Sequence, residues 1–179
     1  MNKRELRKLL RESKLPEDYM KRAGINIARK VTDSSLFRNA GSVFCYVSTA
    51  EEPSTEMIIS EALKTKRVYV PKCISDSEML AVRIRSAEEL KTGHYGIPEP
   101  VDVSETSVSF DLMIVPCMAA GRNGERLGHG RGYYDRFLKK ADGKIICLCF
   151  EDNISDDIDM DENDVFMPVV MTEKNEYGM

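Results

Sequence analysis

Four short, largely apolar segments, separated by stretches of helical periodicity, constrain the fold of this chain more than any other feature. They span residues 42–47, 67–72, 111–116 and 144–150. Segments of this length and composition are typical of strands that are buried on both faces of a parallel sheet. Because helices alternate with them, the pattern predicts an α/β fold, a three-layer αβα sandwich around a mostly parallel central sheet.

The predicted helices have recognisable starts. Asn2 is a capping residue followed three positions later by Glu5, the pattern of a capping box, so a first basic helix begins there. The other predicted helices span about 16–31, 55–66 and 133–140. Gly24 marks a break or a packing site in the second helix. Further strands are predicted at 78–85 and 169–172, Pro71 is expected to stop the strand at 67–72, and the acidic stretch 151–164 is expected to be irregular.

Length and charge exclude several classes of protein. The chain has 179 residues and no obvious linker, which predicts a single domain over 1–179. A net charge of −4 argues against a general nucleic-acid binder. No apolar run approaches the roughly 20 residues of a membrane span, and the charged N-terminus does not resemble a secretory signal. We therefore expect a cytoplasmic protein without nucleic-acid or membrane partners.

The five cysteines are expected to be reduced and structural. They are odd in number and lie mostly in strand-like segments, with Cys147 and Cys149 on one face of a strand. Only two histidines are available as further metal ligands, so the pattern does not favour a cysteine-based metal site.

The segment "GERLGHGRGYYDRF", residues 124–137, concentrates glycine and arginine directly after a predicted strand. Ligands of open α/β sheets bind at the carboxyl ends of the strands, where glycine amides, arginines and a helix N-terminus favour an anion. The segment is neither a Walker A loop nor a dinucleotide fingerprint. From composition alone, a phosphate-binding loop and a flexible surface turn remain open. Asp135 is a magnesium candidate beside a phosphate, or simply an acid in the first turn of a helix.

The motif "RLGHGRGYYDRFL" resembles the "RLGxGxGYYD" signature of the 5-formyltetrahydrofolate cyclo-ligases, also called methenyltetrahydrofolate synthetases. The resemblance continues, in the family's order, through "KRELR", "YVSTAEEPST", "VYVPK", "YGIPEP", "DLMIVP" and "DENDV". It implies a fold like that of NagB, RpiA and the CoA transferases. It also implies an ATP- and Mg²⁺-dependent ligase of one-carbon metabolism, which converts 5-formyltetrahydrofolate to 5,10-methenyltetrahydrofolate through an iminium phosphate and releases ADP and phosphate.

The resemblance also implies roles for particular residues. Arg126 and Lys3 match catalytic positions, and Asp135 and Asp164 match the magnesium carboxylates. Positions matched to ATP binding are Lys3, Arg4, Arg7, Arg126, Leu127, Gly128, His129, Gly130, Arg131, Gly132, Tyr133 and Tyr134. Positions matched to folate binding are Glu52, Tyr95 and Tyr133. Without the resemblance, Lys3 and Arg7 read as solvated helix charges, and Glu52 reads as a loop acid.

Three positions depart from the family pattern: Cys117, Ala120 and Pro168. Ala120 stands where the family has a phenylalanine, so we expect the folate pocket to lack an aromatic wall. This leaves two alternatives open, an ATP-dependent enzyme of the same fold with another small substrate and a non-catalytic folate or nucleotide binder. The expected partner is a reduced folate, with or without a polyglutamate tail, and the expected state is a monomer.

Overall fold

The computed structural model describes residues 1–178. Within that range the chain forms five α-helices and twelve β-strands, together with short 3₁₀ turns. The helices are α1 (Lys3–Glu12), α2 (Glu17–Asp33), α3 (Ser35–Asn39), α4 (Glu56–Thr65) and α5 (Tyr133–Lys140). The strands are β1 (Ser42–Cys45), β2 (Arg67–Cys73), β3 (Met79–Ile84), β4 (Leu90–Thr92), β5 (Pro98–Pro100), β6 (Thr106–Ser107), β7 (Ser109–Pro116), β8 (Ala119–Ala120), β9 (Arg126–Leu127), β10 (Asp142–Leu148), β11 (Val170–Met171) and β12 (Glu176–Tyr177).

The described residues place eight strands in one mostly parallel sheet, in the order β12-β11-β10-β7-β1-β2-β3-β6. The five strands from β11 to β2 are mutually parallel, whereas β3, β6 and β12 join antiparallel at the two edges. The predicted strands at 42–47, 111–116 and 144–150 are the three central ones, and the predicted mostly parallel sheet is confirmed. Central position explains their apolar character, since both of their faces are covered.

Side chains of the central strands alternate between two cores. In β7, Leu112 and Ile114 pack with α2, α3 and α4, whereas Met113 and Val115 pack with Phe137 of α5 on the other face. A side-chain period of two in a strand produces this division. Helices on both faces of the sheet confirm the predicted three-layer arrangement.

Helix α1 begins as the capping pattern predicts. The Asn2 side chain accepts a hydrogen bond from the Glu5 N–H, and the Glu5 carboxylate accepts one from the Asn2 N–H. The helix docks through the buried Leu6, which packs with Leu127 of β9 and with Ile158 in a third, smaller core. This contact holds the basic face of α1 against the glycine-rich segment.

Pro71 does not stop its strand, contrary to the sequence-based expectation. β2 continues to Cys73, and Pro71 pairs with Ala81 of β3. On the other side of β2, the pairing with β1 ends at Tyr69. On that side β1 therefore does not need the N–H that Pro71 lacks. Gly24 is a packing site and not a break, because α2 is continuous and a β-carbon at Gly24 would lie 3.5 Å from the Ser54 nitrogen.

Some short elements were not predicted. One is helix α3, which is capped by the Ser34 hydroxyl, the acceptor of a hydrogen bond from the Phe37 N–H. Another is the β8–β9 hairpin, whose second strand lies in the glycine-rich segment. Apart from a 3₁₀ turn at Glu151–Asn153 and an isolated bridge between Ile154 and Ala120, the acidic stretch 151–164 is irregular, as expected. All five cysteines are free, and four are buried, which agrees with the structural reading. Within residues 1–178, no helix has the length and apolarity needed to cross a membrane.

Candidate active site

A cleft of about 780 Å³ lies where the parallel strands β1, β2 and β7 end. Tyr46 and Val47 enter it after β1, Pro71 and Cys73 belong to the end of β2, and Pro116 closes β7. The remaining walls come from α1, the loop after β1, the segment 94–99, the glycine-rich segment, the start of α5 and the acidic stretch, with Met79 of β3. The carboxyl edge of a parallel sheet is the usual ligand site of this architecture.

The structure brings most of the predicted site residues together in this cleft. Those that line it are Lys3, Arg7, Glu52, Tyr95, Arg126, Gly128, His129, Gly130, Arg131, Gly132, Tyr133, Tyr134, Asp135 and Asp164. Two are absent from the lining. Arg4 lies with Lys8 and Arg11 on a different surface of α1, and the fully buried Leu127 points its side chain into the third core.

The glycine-rich segment bends back on itself before α5. Gly132, the N-cap of α5, has a left-handed backbone with φ of +70°, and a β-carbon there would lie 2.7 Å from a guanidinium nitrogen of Arg136. Glycine is favoured here because other residues are strained at this φ. The helix therefore starts at the cleft, and its N-terminal amides face the same space as the basic side chains.

Arg126 is the most deeply held of the basic groups. Its side chain is 3% exposed, its Nε donates to the Pro116 carbonyl at 2.9 Å, and its Nη1 lies 3.5 Å from Asp135 Oδ1. Its guanidinium also lies 5.3 Å from the centre of the Tyr134 ring. These contacts fix the orientation of the guanidinium at the end of β7.

Helix α1 adds two cations to the cleft. Arg7 Nε donates to the Gly128 carbonyl at 2.7 Å, and burial together with the nearby Arg11 lowers the pKa of Arg7. Lys3 forms ion pairs with Asp164 and with Asp161. Burial opposes the charged form of Lys3, but hydrogen bonds to these two carboxylates outweigh it and raise the pKa of the ammonium.

Asp135 and Asp164 both face the basic side chains. Asp135 Oδ1 also accepts the Val165 N–H at 3.2 Å, and Asp164 Oδ2 accepts the Asp161 N–H at 2.7 Å. Among residues 1–178, no group of three or more histidine, cysteine, aspartate or glutamate side chains is arranged to hold a metal alone. Mg²⁺ that accompanies a nucleotide needs only one or two carboxylates beside phosphate and water. The two aspartates fit that kind of site.

Glu52 lies on another wall of the cleft with its side chain 7% exposed. Its Oε2 accepts the Thr49 N–H at 2.8 Å, and its Oε1 lies 3.2 Å from Nε2 of His129. Burial, reinforced by the Glu52 carboxylate, raises the pKa of Tyr46 and of Tyr134. Both phenols therefore stay protonated beside the carboxylate at neutral pH.

Tyr95 and Tyr133 meet at the mouth of the cleft. Their hydroxyl oxygens are 3.4 Å apart, and the Tyr133 hydroxyl donates to the Ser75 carbonyl at 2.7 Å. Tyr95 is half exposed, has a left-handed backbone with φ of +59°, and lies under the Arg131 guanidinium at 4.5 Å. A non-glycine residue in this conformation is uncommon, and it presents the Tyr95 ring to the cleft.

The three positions that depart from the family motif lie outside the lining of the cleft. Ala120 is fully buried on β8, packs in the core beneath α5, and is not part of the cleft lining. It pairs with Arg126 across the hairpin, so the two side chains lie on the same face of the hairpin. Cys117 is likewise buried, with its thiol donating to the Leu148 carbonyl, and Pro168 is exposed away from the cleft. None of these three side chains contributes to the cleft lining, and the expectation that the pocket lacks an aromatic wall at residue 120 stays a prediction.

A charged group that the sequence did not reveal also lines the cleft. Glu99 is buried, and its Oε1 lies 3.4 Å from Lys72 Nζ and 3.3 Å from His94 Nδ1. Lys72 ends "VYVPK" and Glu99 lies in "YGIPEP", two stretches that we noted only as parts of a resemblance. Their separation along the chain has no periodicity that would pair them.

The fold and the cleft define an α/β protein whose basic, glycine-lined site lies at the carboxyl edge of its parallel sheet. The model of the 5-formyltetrahydrofolate cyclo-ligase family matches residues 1–173. A mouse 5-formyltetrahydrofolate cyclo-ligase is 29% identical, covering 96% of this chain and 89% of the mouse protein. A probable 5-formyltetrahydrofolate cyclo-ligase of Caenorhabditis elegans is 31% identical, covering 96% and 92%.

Solved structures agree with these relatives. The 5,10-methenyltetrahydrofolate synthetase of Aquifex aeolicus superposes with a TM-score of 0.88 at 30% identity, covering 99% of this chain and 93% of that one. The chain belongs to the 5-formyltetrahydrofolate cyclo-ligase family.

Proposed function

We propose that this protein converts 5-formyltetrahydrofolate to 5,10-methenyltetrahydrofolate at the expense of ATP, with Mg²⁺ and with release of ADP and phosphate. The observation that carries the proposal is the composition of one cleft. It combines a buried carboxylate, Glu52, with a segment of glycines and arginines, and the two are joined by the 3.2 Å contact to His129. Membership in the family supports the choice of substrate.

The reaction that we propose has two bond-forming steps. The formyl oxygen attacks the γ-phosphorus of ATP, and the bond from that phosphorus to the β,γ-bridging oxygen breaks. ADP departs, and the folate is left as an iminium phosphate. N10 then attacks the formyl carbon and loses its proton, and the C–O bond breaks to release phosphate. Phosphoryl transfer demands mainly positioning and neutralisation of charge. A cleft with several fixed cations suits that demand.

Arg126 and Lys3 are proposed to act on the transferred phosphoryl group. Arg126 is held by the Pro116 carbonyl, so its guanidinium is oriented before a ligand binds. Arg7, Arg131 and the amides from Gly128 to Tyr134 would hold the rest of the nucleotide. Asp135 and Asp164 would hold Mg²⁺, which when bound neutralises charge on the phosphates. Support for Arg4 and for the side chain of Leu127 is missing, because neither lines the cleft.

Glu52 is proposed to recognise the pterin ring. A buried carboxylate accepts hydrogen bonds from the N–H and amino groups along one edge of a pterin, and a ligand without those donors would leave it unsatisfied. Tyr95 and Tyr133 would pack against an aromatic ring of the folate. The volume of about 780 Å³ lies within the range of roughly 300–1,000 Å³ that is usual for ligand sites.

A reduced folate, with or without a polyglutamate tail, is the proposed small-molecule partner. We further propose that residues 1–179 act as one domain, as a monomer and in the cytoplasm.

The decisive experiment incubates the protein with ATP, Mg²⁺ and 5-formyltetrahydrofolate. Absorbance of the methenyl product and release of ADP are followed together, and a one-to-one ratio is expected. Reactions without Mg²⁺, or with 5-methyltetrahydrofolate in place of the formyl compound, serve as controls and should form no product. Absence of methenyl product at saturating substrates would contradict the proposal, and binding without turnover would favour a non-catalytic binder.

A further inference from the structure

His129 connects the glycine-rich segment to the carboxylate on the opposite wall. With its proton on Nε2, the imidazole donates to Glu52 Oε1 over 3.2 Å. The two residues are separated by 77 positions in sequence, so the contact joins two independent parts of the cleft. The resemblance assigned His129 to the nucleotide, but its side chain is directed to the residue that we assign to the folate.

The neighbours of His129 are packed on the arginines of the phosphate site. Gly128 accepts the Arg7 Nε hydrogen bond through its carbonyl, and a β-carbon on Gly128 would lie 3.1 Å from Nη2 of Arg126. Gly130 has φ of +100°, and a β-carbon there would lie 3.4 Å from the Arg7 guanidinium carbon. Both guanidinium groups therefore lie against the backbone on either side of His129.

Glu52 depends on His129 for much of its orientation. Its side chain is held at Oε2 by the Thr49 N–H and at Oε1 by His129. A carboxylate held at both oxygens has a defined plane, whereas one held at a single oxygen rotates about that bond. Because Glu52 is 7% exposed, water replaces a lost partner only poorly.

We propose that His129 is a positioning residue that couples the nucleotide to the folate. Nucleotide bound by Arg7 and Arg126 fixes the segment 128–130, the fixed segment holds the imidazole against Glu52, and the oriented carboxylate binds the pterin more tightly. Linkage requires the reverse effect as well, so folate strengthens nucleotide binding by the same factor. This inference rests on the proposed function, since it takes ATP and folate as the two ligands.

The test measures the dissociation constant of 5-formyltetrahydrofolate by calorimetry, with and without the Mg²⁺ complex of β,γ-imido-ATP. In the unaltered protein we expect the nucleotide analogue to tighten folate binding about tenfold, a typical coupling between sites. In His129→Ala the enhancement should fall below about twofold. His129→Gln, whose amide N–H reaches a position similar to that of Nε2, should restore at least half of the tightening.

His94→Ala is the matched control. His94 is the other histidine of the chain, is similarly exposed, at 52% against 49%, and also contacts a glutamate of the cleft, Glu99. This variant should keep the tenfold enhancement even if its folate affinity changes. Equal loss of enhancement in both alanine variants, no enhancement in the unaltered protein, or unchanged enhancement in His129→Ala would each overturn the inference.

The two proposals fail in distinguishable ways. If the unaltered protein forms methenyl product and His129→Ala keeps the full coupling, the proposed role of His129 is wrong. The proposed activity would not be affected by that result. If the protein binds folate and nucleotide but forms no product, the proposed activity is wrong. The coupling measurement would still test the role of His129. Thermal melts of each variant check that it is folded, which we expect because His129 is exposed and contributes little to the core.

Discussion

The cleft has a charged side and an aromatic side, and the protein holds them differently. On the charged side, formed by Lys3, Arg7, Arg126, Asp135 and Asp164, each cation already faces a carboxylate or a carbonyl of the protein. On the aromatic side, formed by Glu52, Tyr95 and Tyr133, the glutamate has two partners and the tyrosine rings are only partly covered.

The difference has an energetic consequence. Removing one member of a buried ion pair leaves its partner uncompensated, which costs more than the loss of an exposed contact. Substitutions on the charged side should therefore change both stability and turnover. Substitutions on the aromatic side should change recognition of the folate and leave the fold intact.

Arg126→Ala should have the largest effect. It removes a buried guanidinium from Asp135, so we expect turnover to fall by about 10³-fold, as for arginines that stabilise phosphoryl transfer. The free energy of unfolding should decrease by about 3 kcal/mol. Steady-state assays and urea denaturation measure the two quantities. Arg122→Ala, which breaks an exposed pair with Asp156, is the control and should leave the midpoint of urea denaturation almost unchanged.

Glu52→Gln should lose recognition of the folate and keep recognition of the nucleotide. The amide offers one acceptor and one donor where the pterin edge needs two acceptors, so kcat/KM for 5-formyltetrahydrofolate should fall about 100-fold. The dissociation constant of ATP without folate should change less than about twofold, as measured by calorimetry. Glu51→Gln alters the neighbouring exposed glutamate, which pairs with Lys14, and should be neutral. Unchanged turnover in Glu52→Gln would contradict the role given to this residue.

Arg7→Ala and Arg4→Ala compare two faces of one helix. Arg7 lines the cleft and should contribute a charge-assisted hydrogen bond to a phosphate, so its loss should raise KM for ATP about tenfold. Arg4 lies outside the cleft lining, and its loss should raise KM for ATP less than about twofold. Equal increases in KM for ATP in the two variants would support the family-based assignment of Arg4 to the ATP site. They would contradict the inference drawn from its position outside the cleft lining.

Asp111→Asn tests a carboxylate far from the chemistry and should affect turnover least. Asp111 accepts the N–H groups of Gly41 at 2.8 Å and of Ser42 at 3.0 Å, and these hydrogen bonds lower its pKa below the ordinary 3.8. A lowered pKa adds stability above the unfolded-state value, and this stability is lost as the pH falls through the folded-state value.

The Asn variant should accordingly have a lower Tm than the unaltered protein at pH 7, and the gap should close as the pH falls below about 4. Thermal melts over a pH series measure the gap. Asp157→Asn, at an exposed loop position, should have the same Tm as the unaltered protein throughout the pH series. A gap that persists at low pH would show that Asp111 acts by packing and not by charge.

Much of the fold was predictable because it depends on local composition. The central strands β1, β7 and β10 are apolar on both faces, and the capping box of α1 lies within four residues of sequence. The continuation of β2 through Pro71 was not predictable, since it depends on where its neighbour β1 ends. The complete burial of Ala120 beside Arg126 was not predictable either, because residue identity alone does not reveal how the β8–β9 hairpin packs.

The layers of the fold, and the location of a glycine-rich, basic segment after a buried strand, follow from local sequence. Burial and backbone freedom are properties of short stretches, so a short stretch reveals them. Which charges meet depends instead on how distant elements of the fold pack together. Lys3 pairs with Asp164 across 161 positions, and Glu52 meets His129 across 77. Such pairs form because α1 docks through Leu6 and because the strands end at one edge of the sheet. No single segment of the sequence encodes either contact.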